Sequence, residues 1–377
     1  VDEEINEPDD RIILVPDVLK ALQNLAQHHR MQFISATSEK QIPFIAITGS
    51  NGKTTSKELV HAVLSTAYKT YTTEGNLNNH IGIPLTILKI KADAEIAIIE
   101  MGANHLKEIE EYCTYTMPTH GVITNCGKAH LEGFGSEEGI RKGKGELFDY
   151  LKQNKGTAFI MSDYEYLQTM SSGIENIVTY GTHDADVTGI VKNSSGLLEV
   201  EITSDVMLNF IETKLVGEYN LPNILLAVTV GRHFNVPDEK IKTALENYLP
   251  DNSRSQLIET DSNKIILDAY NANPTSMKAA VENFANMHGE NKVLLLGGMK
   301  ELGNASLEEH QELINLIKKY NWKNVVLVGN EFKNANHNFQ FFENSEQAAD
   351  WYRQQDFNNT LLLIKGSRST QMEKVLK

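Results

Sequence analysis

A chain of 377 residues has room for two or three domains of ordinary size, and its 41% apolar content suits a soluble globular core. The net charge of −15 argues against a nucleic-acid or acidic-membrane surface as partner. Two cysteines, Cys113 and Cys126, are too few for a disulfide framework or a cysteine zinc site and fit a reducing cytoplasm. There is no apolar run of membrane-spanning length and no recognisable secretory leader. The chain opens on Val1 and an acidic stretch rather than on methionine, as a trimmed fragment would.

The acidic first ten residues are expected to be loose. Val18, Leu19, Leu22 and Leu25 recur at helical spacing and predict a helix over 18–30. Phe44-Ile45-Ala46-Ile47-Thr48 predicts a buried strand, followed by a helix over 54–66. The stretch 75–84 has glycine at positions 75 and 82 and reads as a long polar loop, either a turn or a site lining. Further strands are predicted at 96–99, 121–124 and 157–161, with a helix over 137–151. This strand–helix alternation predicts a mostly parallel sheet covered on both faces. Residues 186–216 change character, with β-prone pieces at 198–202 and 206–211 that suggest an antiparallel addition. Helices return at 222–233 and 239–247. A second α/β pattern, Rossmann-like, follows Pro250-Asp251-Asn252-Ser253-Arg254, with strands at 264–267, 293–296, 324–328 and 360–364 and helices at 276–286, 306–320 and 345–354.

Gly49-Ser50-Asn51-Gly52-Lys53-Thr54-Thr55 joins the first strand to its helix and reads as a phosphate-binding loop. Glycines let backbone N–H groups turn toward an anion, and the helix start adds its positive dipole end. Lys53 is positioned to neutralise β/γ-phosphate charge, and the Thr54 hydroxyl to hold Mg²⁺. The spacing Gly49-x-x-Gly52-Lys53-Thr54 is two residues shorter than the common G-x-x-x-x-G-K-[ST] pattern. Glu100 falls at the carboxyl end of a predicted strand, where open α/β sheets build their sites, and a carboxylate there suits Mg²⁺; a lone glutamate also reads as a surface or capping acid. His130 lies just past the next strand and is able to share that region, or to be an ordinary loop histidine. Lys144, among basic neighbours on the following helix, reads by composition as a solvated lysine.

Taken in order, these strings resemble the Mur ligase family, the ATP-dependent amide-forming enzymes of peptidoglycan synthesis. The likeness runs from the 21–26 helix through the phosphate loop, Gly75-Asn76-Leu77-Asn78-Asn79, Glu100-Met101-Gly102-Ala103, His130-Leu131-Glu132-Gly133-Phe134 and Lys144-Gly145-Glu146. It continues through Asp268-Ala269-Tyr270-Asn271-Ala272-Asn273-Pro274 and Leu296-Gly297-Gly298-Met299-Lys300-Glu301-Leu302-Gly303 to Lys365-Gly366-Ser367-Arg368. The Asn-Leu-Asn-Asn, Tyr-Asn-Ala-Asn-Pro and Met-x-Glu-Leu-Gly strings point to the branch that adds D-alanyl-D-alanine.

The resemblance implies an α/β protein in three parts. Residues 1–40 would be an N-terminal remnant and connecting helix, 41–252 a central P-loop ATPase domain with a mostly parallel sheet, and 253–377 a C-terminal Rossmann-like domain. The family's N-terminal UDP-sugar domain would be largely absent. Thr54 and Glu100 match Mg²⁺ ligands, and His130 a second-metal ligand. Lys144 matches a lysine carried as a CO₂-derived carbamate, an anion able to hold or orient that second metal. Asn220 and Asn223 match an Asn-x-x-Asn segment near the nucleotide base, with Tyr219 where many relatives have histidine. Arg254 matches an arginine near the γ-phosphate, with Ser253 in place of the usual glycine, and Asp268 matches the acid near the ATP ribose. Asn271, Asn273, Lys365 and Arg368 belong near the incoming dipeptide or the closed interface, or else are turn residues and surface charges.

The implied activity joins D-alanyl-D-alanine to UDP-N-acetylmuramoyl-tripeptide through an acyl phosphate, in a cytoplasmic monomer. Two other readings stand beside it. Folylpolyglutamate synthetase shares the core, but Tyr-Asn-Ala-Asn-Pro speaks against it. An inactive nucleotide-binding regulatory protein would not need Lys53, Glu100, His130 and Lys144 intact.

Overall fold

The computed structural model describes residues 2, 11–34, 41–204, 208–250, 254–260 and 262–377. The expectations for most of the first ten residues, for the start of a strand at 206 and for the junction at Ser253 lie outside them.

Among the described residues, the first sheet has nine strands: β1 (Phe44–Thr48), β2 (Thr70–Thr72), β3 (Ile96–Glu100), β4 (His120–Ile123), β5 (Thr157–Met161), β6 (Asn176–Gly181), β7 (Val187–Asn193), β8 (Leu197–Ile202) and β9 (Phe210–Val216). They lie in the order β2-β3-β1-β4-β5-β6-β7-β8-β9. Pairing is parallel from β2 through β7 and antiparallel for the last two pairs. β1 and β3 are buried along their whole length, which is why they read as unbroken apolar runs rather than as alternation. Strand order reverses about β1, with β3 on one side and β4 on the other. The crevice beyond the carboxyl ends of these three strands is where an open α/β sheet receives ligands.

The helices here are α1 (Val18–Met31), α2 (Lys53–Leu64), α3 (Gly82–Leu88), α4 (Glu108–Thr116), α5 (Leu131–Phe134), α6 (Glu137–Gln153), α7 (Glu165–Met170), α8 (Leu221–His233) and α9 (Asp238–Asn247). α8 is buried at every position from Asn223 to Gly231, the pattern of a helix enclosed by the fold. α1 is tied down by Arg30, whose buried guanidinium lies over the Phe44 ring and donates to the Thr116 and Met117 carbonyls at 2.9 and 3.0 Å. Ahead of β1 the described residues hold this helix and no strand.

The second sheet has six strands, β10 (Gln256–Glu259), β11 (Asn263–Asp268), β12 (Asn291–Gly297), β13 (Asn324–Val328), β14 (Gln340–Phe342) and β15 (Thr360–Lys365), in the order β10-β11-β15-β12-β13-β14. All neighbours are parallel except β10 with β11. Helices α10 (Pro274–Asn286), α11 (Ser306–Ile317) and α12 (Ser345–Arg353) cover it. The two sheets have their own apolar cores, but Val216 at the end of β9 packs into that of the second sheet, and Leu131 packs against both.

Two expectations change in detail. The stretch 75–84 is not loop throughout: its last residues open α3, because Pro84 sits in the first turn, where a missing N–H costs nothing, and Ile83 and Ile87 are buried. The strand expected at 206–211 is instead β9, from Phe210 to Val216, with Ile211, Thr213 and Leu215 buried on one face.

Candidate functional site

The phosphate loop leaves β1 and enters α2 through two glycines with positive φ, Gly49 at 141° and Gly52 at 80°. A Cβ on Gly49 would lie 2.0 Å from Thr124 Oγ1, so only glycine permits the close approach of this loop to the one after β4. Ser50 N–H donates to the Asn125 carbonyl at 2.8 Å, and Asn51 N–H to Asn125 Oδ1 at 3.1 Å. Gly52 caps α2 with no side chain to accept its first-turn amides, and Gly52 to Thr55 line the cleft. Nothing of the helix's own competes there with an anion.

Lys53 folds back over this loop, its ammonium donating to the Gly49 and Ser50 carbonyls at 2.6 and 3.3 Å. Burial pushes its pKa below the usual lysine range; Glu100 pulls the other way and Arg254 adds to the depression. Thr54 Oγ1 donates to Glu100 Oε1 at 3.0 Å, and Asn78 Nδ2 donates to the same oxygen at 2.8 Å. Glu100 is 1% exposed, and its Oε2 is buried with no hydrogen-bond partner. A buried carboxylate oxygen of this kind needs a cation or donor. Among the described residues no three His, Cys, Asp or Glu side chains are grouped to hold a metal. Mg²⁺ does not require such a cage: one or two protein oxygens, waters and substrate phosphates suffice, and the Thr54–Glu100 pair meets that need.

His130 lines the same cleft as Glu100, while Lys144 does not line it and is buried against the Ala103 carbonyl, near enough for its charge to act against that of Lys53. His130, at φ 54°, brings Nδ1 to 2.5 Å from Glu301 Oε2 of the C-terminal domain, a close contact whose angle does not make a regular hydrogen bond. The His130 ring beside it holds the Glu301 carboxyl below its usual range, against the effect of burial, and Lys53 acts in the same direction. Lys144 is not a solvated lysine. It is 1% exposed, donates to the Ala103 carbonyl at 2.8 Å and lies 5.0 Å from the Phe134 ring centre. Burial, then repulsion from Lys53, lowers its pKa to about 7.

Asn220 and Asn223 sit at the start of α8. Asn223 donates to Asn220 Oδ1 at 2.9 Å and accepts from Ser56 Oγ at 2.9 Å, which locks the pair against α2. From the C-terminal domain, the Arg254 guanidinium stacks 3.5 Å above the Tyr270 ring centre. Asp268, at the end of β11, pairs with Lys365, at the end of β15, at 2.6 Å, and Lys365 also donates to the Asn271 carbonyl. These groups and the phosphate loop line one cleft of about 1050 Å³. Asn273 caps α10 and also donates through Nδ2 to Asn51 Oδ1 at 2.7 Å, a direct bond from one domain to the phosphate loop of the other. Arg368 stands apart, exposed and paired with Glu373 at 3.1 Å.

Several participants gain a role only in the structure. Asn125 anchors the phosphate loop, and Asn78, which in the sequence is part of the matched Asn-Leu-Asn-Asn string without a role of its own, orients Glu100. Thr73 Oγ1 accepts the Glu100 N–H at 3.0 Å, while its carbonyl accepts the ammonium of Lys57, 1% exposed, at 2.6 Å. A lysine in the middle of a helix reads as solvated, so Lys57 shows its role only once α2 is packed.

Residues 47–231 match the Mur ligase middle domain, and 253–368 the Mur ligase, glutamate ligase domain. The UDP-N-acetylmuramoyl-tripeptide–D-alanyl-D-alanine ligase of Bacillus subtilis (strain 168) is 32% identical over 378 residues, covering 97% of this chain and 80% of its own. Among solved structures, MurF from Acinetobacter baumannii superposes with a TM-score of 0.86 at 28% identity, over 98% of this chain and 83% of the other. MurF ligase from Thermotoga maritima in complex with ADP gives 0.84 at 27% identity, over 99% and 86%.

Proposed function

Because the chain belongs to the Mur ligase family, we propose that it is an ATP-dependent amide ligase that joins D-alanyl-D-alanine to UDP-N-acetylmuramoyl-tripeptide through an acyl phosphate, in peptidoglycan precursor synthesis. The observation that carries this is the shared cleft, in which an anion-binding loop from one domain faces cationic and polar groups from the other. A ligase of three substrates needs that arrangement, because its reactants must meet in one geometry.

ATP lies with its phosphates on the amides of Gly49 to Thr55. Lys53 exchanges the Gly49 and Ser50 carbonyls for terminal phosphate oxygens, trading neutral acceptors for charged ones. Asn220 and Asn223 face the base, Asp268 the ribose and Arg254 the γ-phosphate. Thr54 and Glu100 would hold Mg²⁺, with His130 and Lys144, the latter as its carbamate, serving a second site; such a metal would supply positive charge to the phosphoryl oxygens. An oxygen of the tripeptide carboxylate bonds to the γ-phosphorus as the bond to ADP breaks, and ADP leaves with the electron pair. The dipeptide amine then attacks the acyl carbon and loses a proton, and phosphate departs. Asn271, Asn273 and Lys365 lie on the dipeptide side.

Lys144 suits the carbamate because its pKa near 7 leaves much of it as free amine at neutral pH, the form that adds CO₂. Its share of free amine rises as pH climbs through about 7 and falls below it. Lys144→Ala is expected to lose most ligation, and added formate or acetate to restore part by supplying an anion to the emptied pocket. Full activity of the alanine variant without either acid would rule the carbamate out.

We assign 1–40, 41–252 and 253–377 to the connecting, ATP-binding and C-terminal parts, and place the enzyme in the cytoplasm as a monomer. Among the described residues no helix is long and apolar enough to cross a membrane. The test of function is phosphate release from ATP. It should require both UDP-N-acetylmuramoyl-tripeptide and D-alanyl-D-alanine, and glutamate should not replace the dipeptide. Release that ignores either substrate, or that prefers glutamate, contradicts the proposal.

A further inference from the structure

The loop that follows β4 is held by the C-terminal domain at successive points. Lys128 N–H donates to Thr275 Oγ1 at 3.0 Å, and the Lys128 ammonium pairs with buried Glu309 at 2.7 Å. A Cβ on Gly127 would come within 2.7 Å of Thr275 Oγ1, so the two domains touch closely there. Glu132 N–H donates to the Glu301 carbonyl at 3.2 Å, and the Glu301 side chain reaches back to His130 Nδ1 at 2.5 Å.

Both members of that last pair have left-handed backbones, φ 54° at His130 and 62° at Glu301. Histidine enters this region more readily than most residues, but glutamate does not, so the Glu301 conformation costs energy and persists because its surroundings enforce it. A strained Glu301 of one domain therefore meets His130 of the other, side chain to side chain, at the edge of the cleft. Glu301 is the one carboxylate from the C-terminal domain among the groups whose charge acts on the Lys53 ammonium, where Glu100 is its counterpart from the central domain.

From this geometry we infer that Glu301 is a positioning residue: its carboxylate, carried in by the C-terminal domain, fixes the His130 imidazole, so that the phosphoryl-transfer centre is complete only when the two domains are together. This deepens the ligase reading and rests on it for its kinetic arm. The device answers a chemical need. An acyl phosphate exposed in an open cleft would be lost to water, so a centre assembled by the domain that brings the dipeptide defers activation until the amine is in place.

The test uses the full chain and its Glu301→Gln, Glu301→Asp and Glu301→Ala variants, with three readouts. The first is kcat and KM for ligation. Glu301→Gln is expected to lower kcat at least 30-fold with KM for ATP within about threefold, and Glu301→Asp to regain part of the loss. The second is the affinity for a non-hydrolysable ATP analogue together with the melting temperature, both expected to match the parent protein. The third is the radius of gyration by small-angle X-ray scattering, expected to be larger for Glu301→Ala because a cross-domain tie is gone. The inference is overturned if Glu301→Gln keeps kcat within threefold of the parent. It is equally overturned if the loss of kcat comes with parallel losses of melting temperature and nucleotide affinity, the mark of general damage. If the parent protein does not ligate at all, the functional reading fails, while the scattering comparison still decides whether Glu301 ties the domains.

Discussion

Lys53→Ala is expected to lower kcat for ligation by about 10²–10³-fold, roughly 3–4 kcal/mol of transition-state stabilisation, the usual cost of removing a preorganised charge contact. The ammonium already lies over the loop, held by the Gly49 and Ser50 carbonyls and half-buried. Burial has stripped part of its hydration and left it weakly compensated, so its charge acts at short range through little water. Alanine removes that charge without disturbing the positive-φ glycines on either side or the bonds from Ser50 and Asn51 to Asn125. Nucleotide binding is therefore expected to weaken less than turnover. Steady-state phosphate release with both acceptors, measured beside nucleotide affinity and melting temperature, separates these effects. A Lys53→Ala protein that ligates at near-normal rate would remove the loop from the mechanism.

Glu100→Gln is expected to lower turnover by about 10²-fold, close to 2.7 kcal/mol, while leaving the fold as stable as before or more so. The reason lies in the two carboxylate oxygens. Oε1 accepts from Thr54 and Asn78, and an amide oxygen can do the same. Oε2 is buried with no partner, a cost to the folded state that a neutral amide lessens. A group that weakens the fold yet sits beside the phosphate loop is explained by what it binds. The check is a pair of curves: thermal unfolding without nucleotide, and dependence of turnover on Mg²⁺ concentration. The melting temperature should hold or rise while the Mg²⁺ requirement moves to higher concentration. An unchanged Mg²⁺ dependence would detach Glu100 from the metal.

What the sequence disclosed was the local part of this arrangement. The phosphate loop is legible because its glycines, lysine and threonine are neighbours in the chain and their geometry is their own. Glu100 is legible because a buried apolar run ends at it, and strand ends at a switch point are where sites form. The alternation of strands and helices foretold parallel sheets in both halves. Short elements escaped: β2 is Thr-Tyr-Thr, with no apolar run to announce it, and the start of α3 hides behind polar loop residues. Lys57 and Lys144 escaped as buried lysines, since a side chain that seldom enters a core gives no sign that it has done so. For Lys144 only the family resemblance contradicted the composition.

The contacts between the domains were the least visible. Asn51 and Asn273 are 222 positions apart, and Lys128 and Glu309 are 181 apart. No periodicity or spacing links such pairs; they exist because two separately built sheets come to face one another. Only matching strings place Asn273 and Lys365 near the dipeptide or the closed interface; in the structure Asn273 bonds to Asn51 of the other domain and Lys365 lines the cleft. The same matching groups Arg368 with them or leaves it a surface charge, and in the structure it follows the end of β15, exposed and paired with Glu373.

The central claim is that the tripeptide carboxylate is itself phosphorylated before the amide forms. Labelling that carboxylate with ¹⁸O and analysing the released phosphate by mass spectrometry tests it most directly. The account predicts one ¹⁸O atom in each phosphate, carried across when the acyl–oxygen bond breaks, and one retained in the new amide. Phosphate free of label would contradict it.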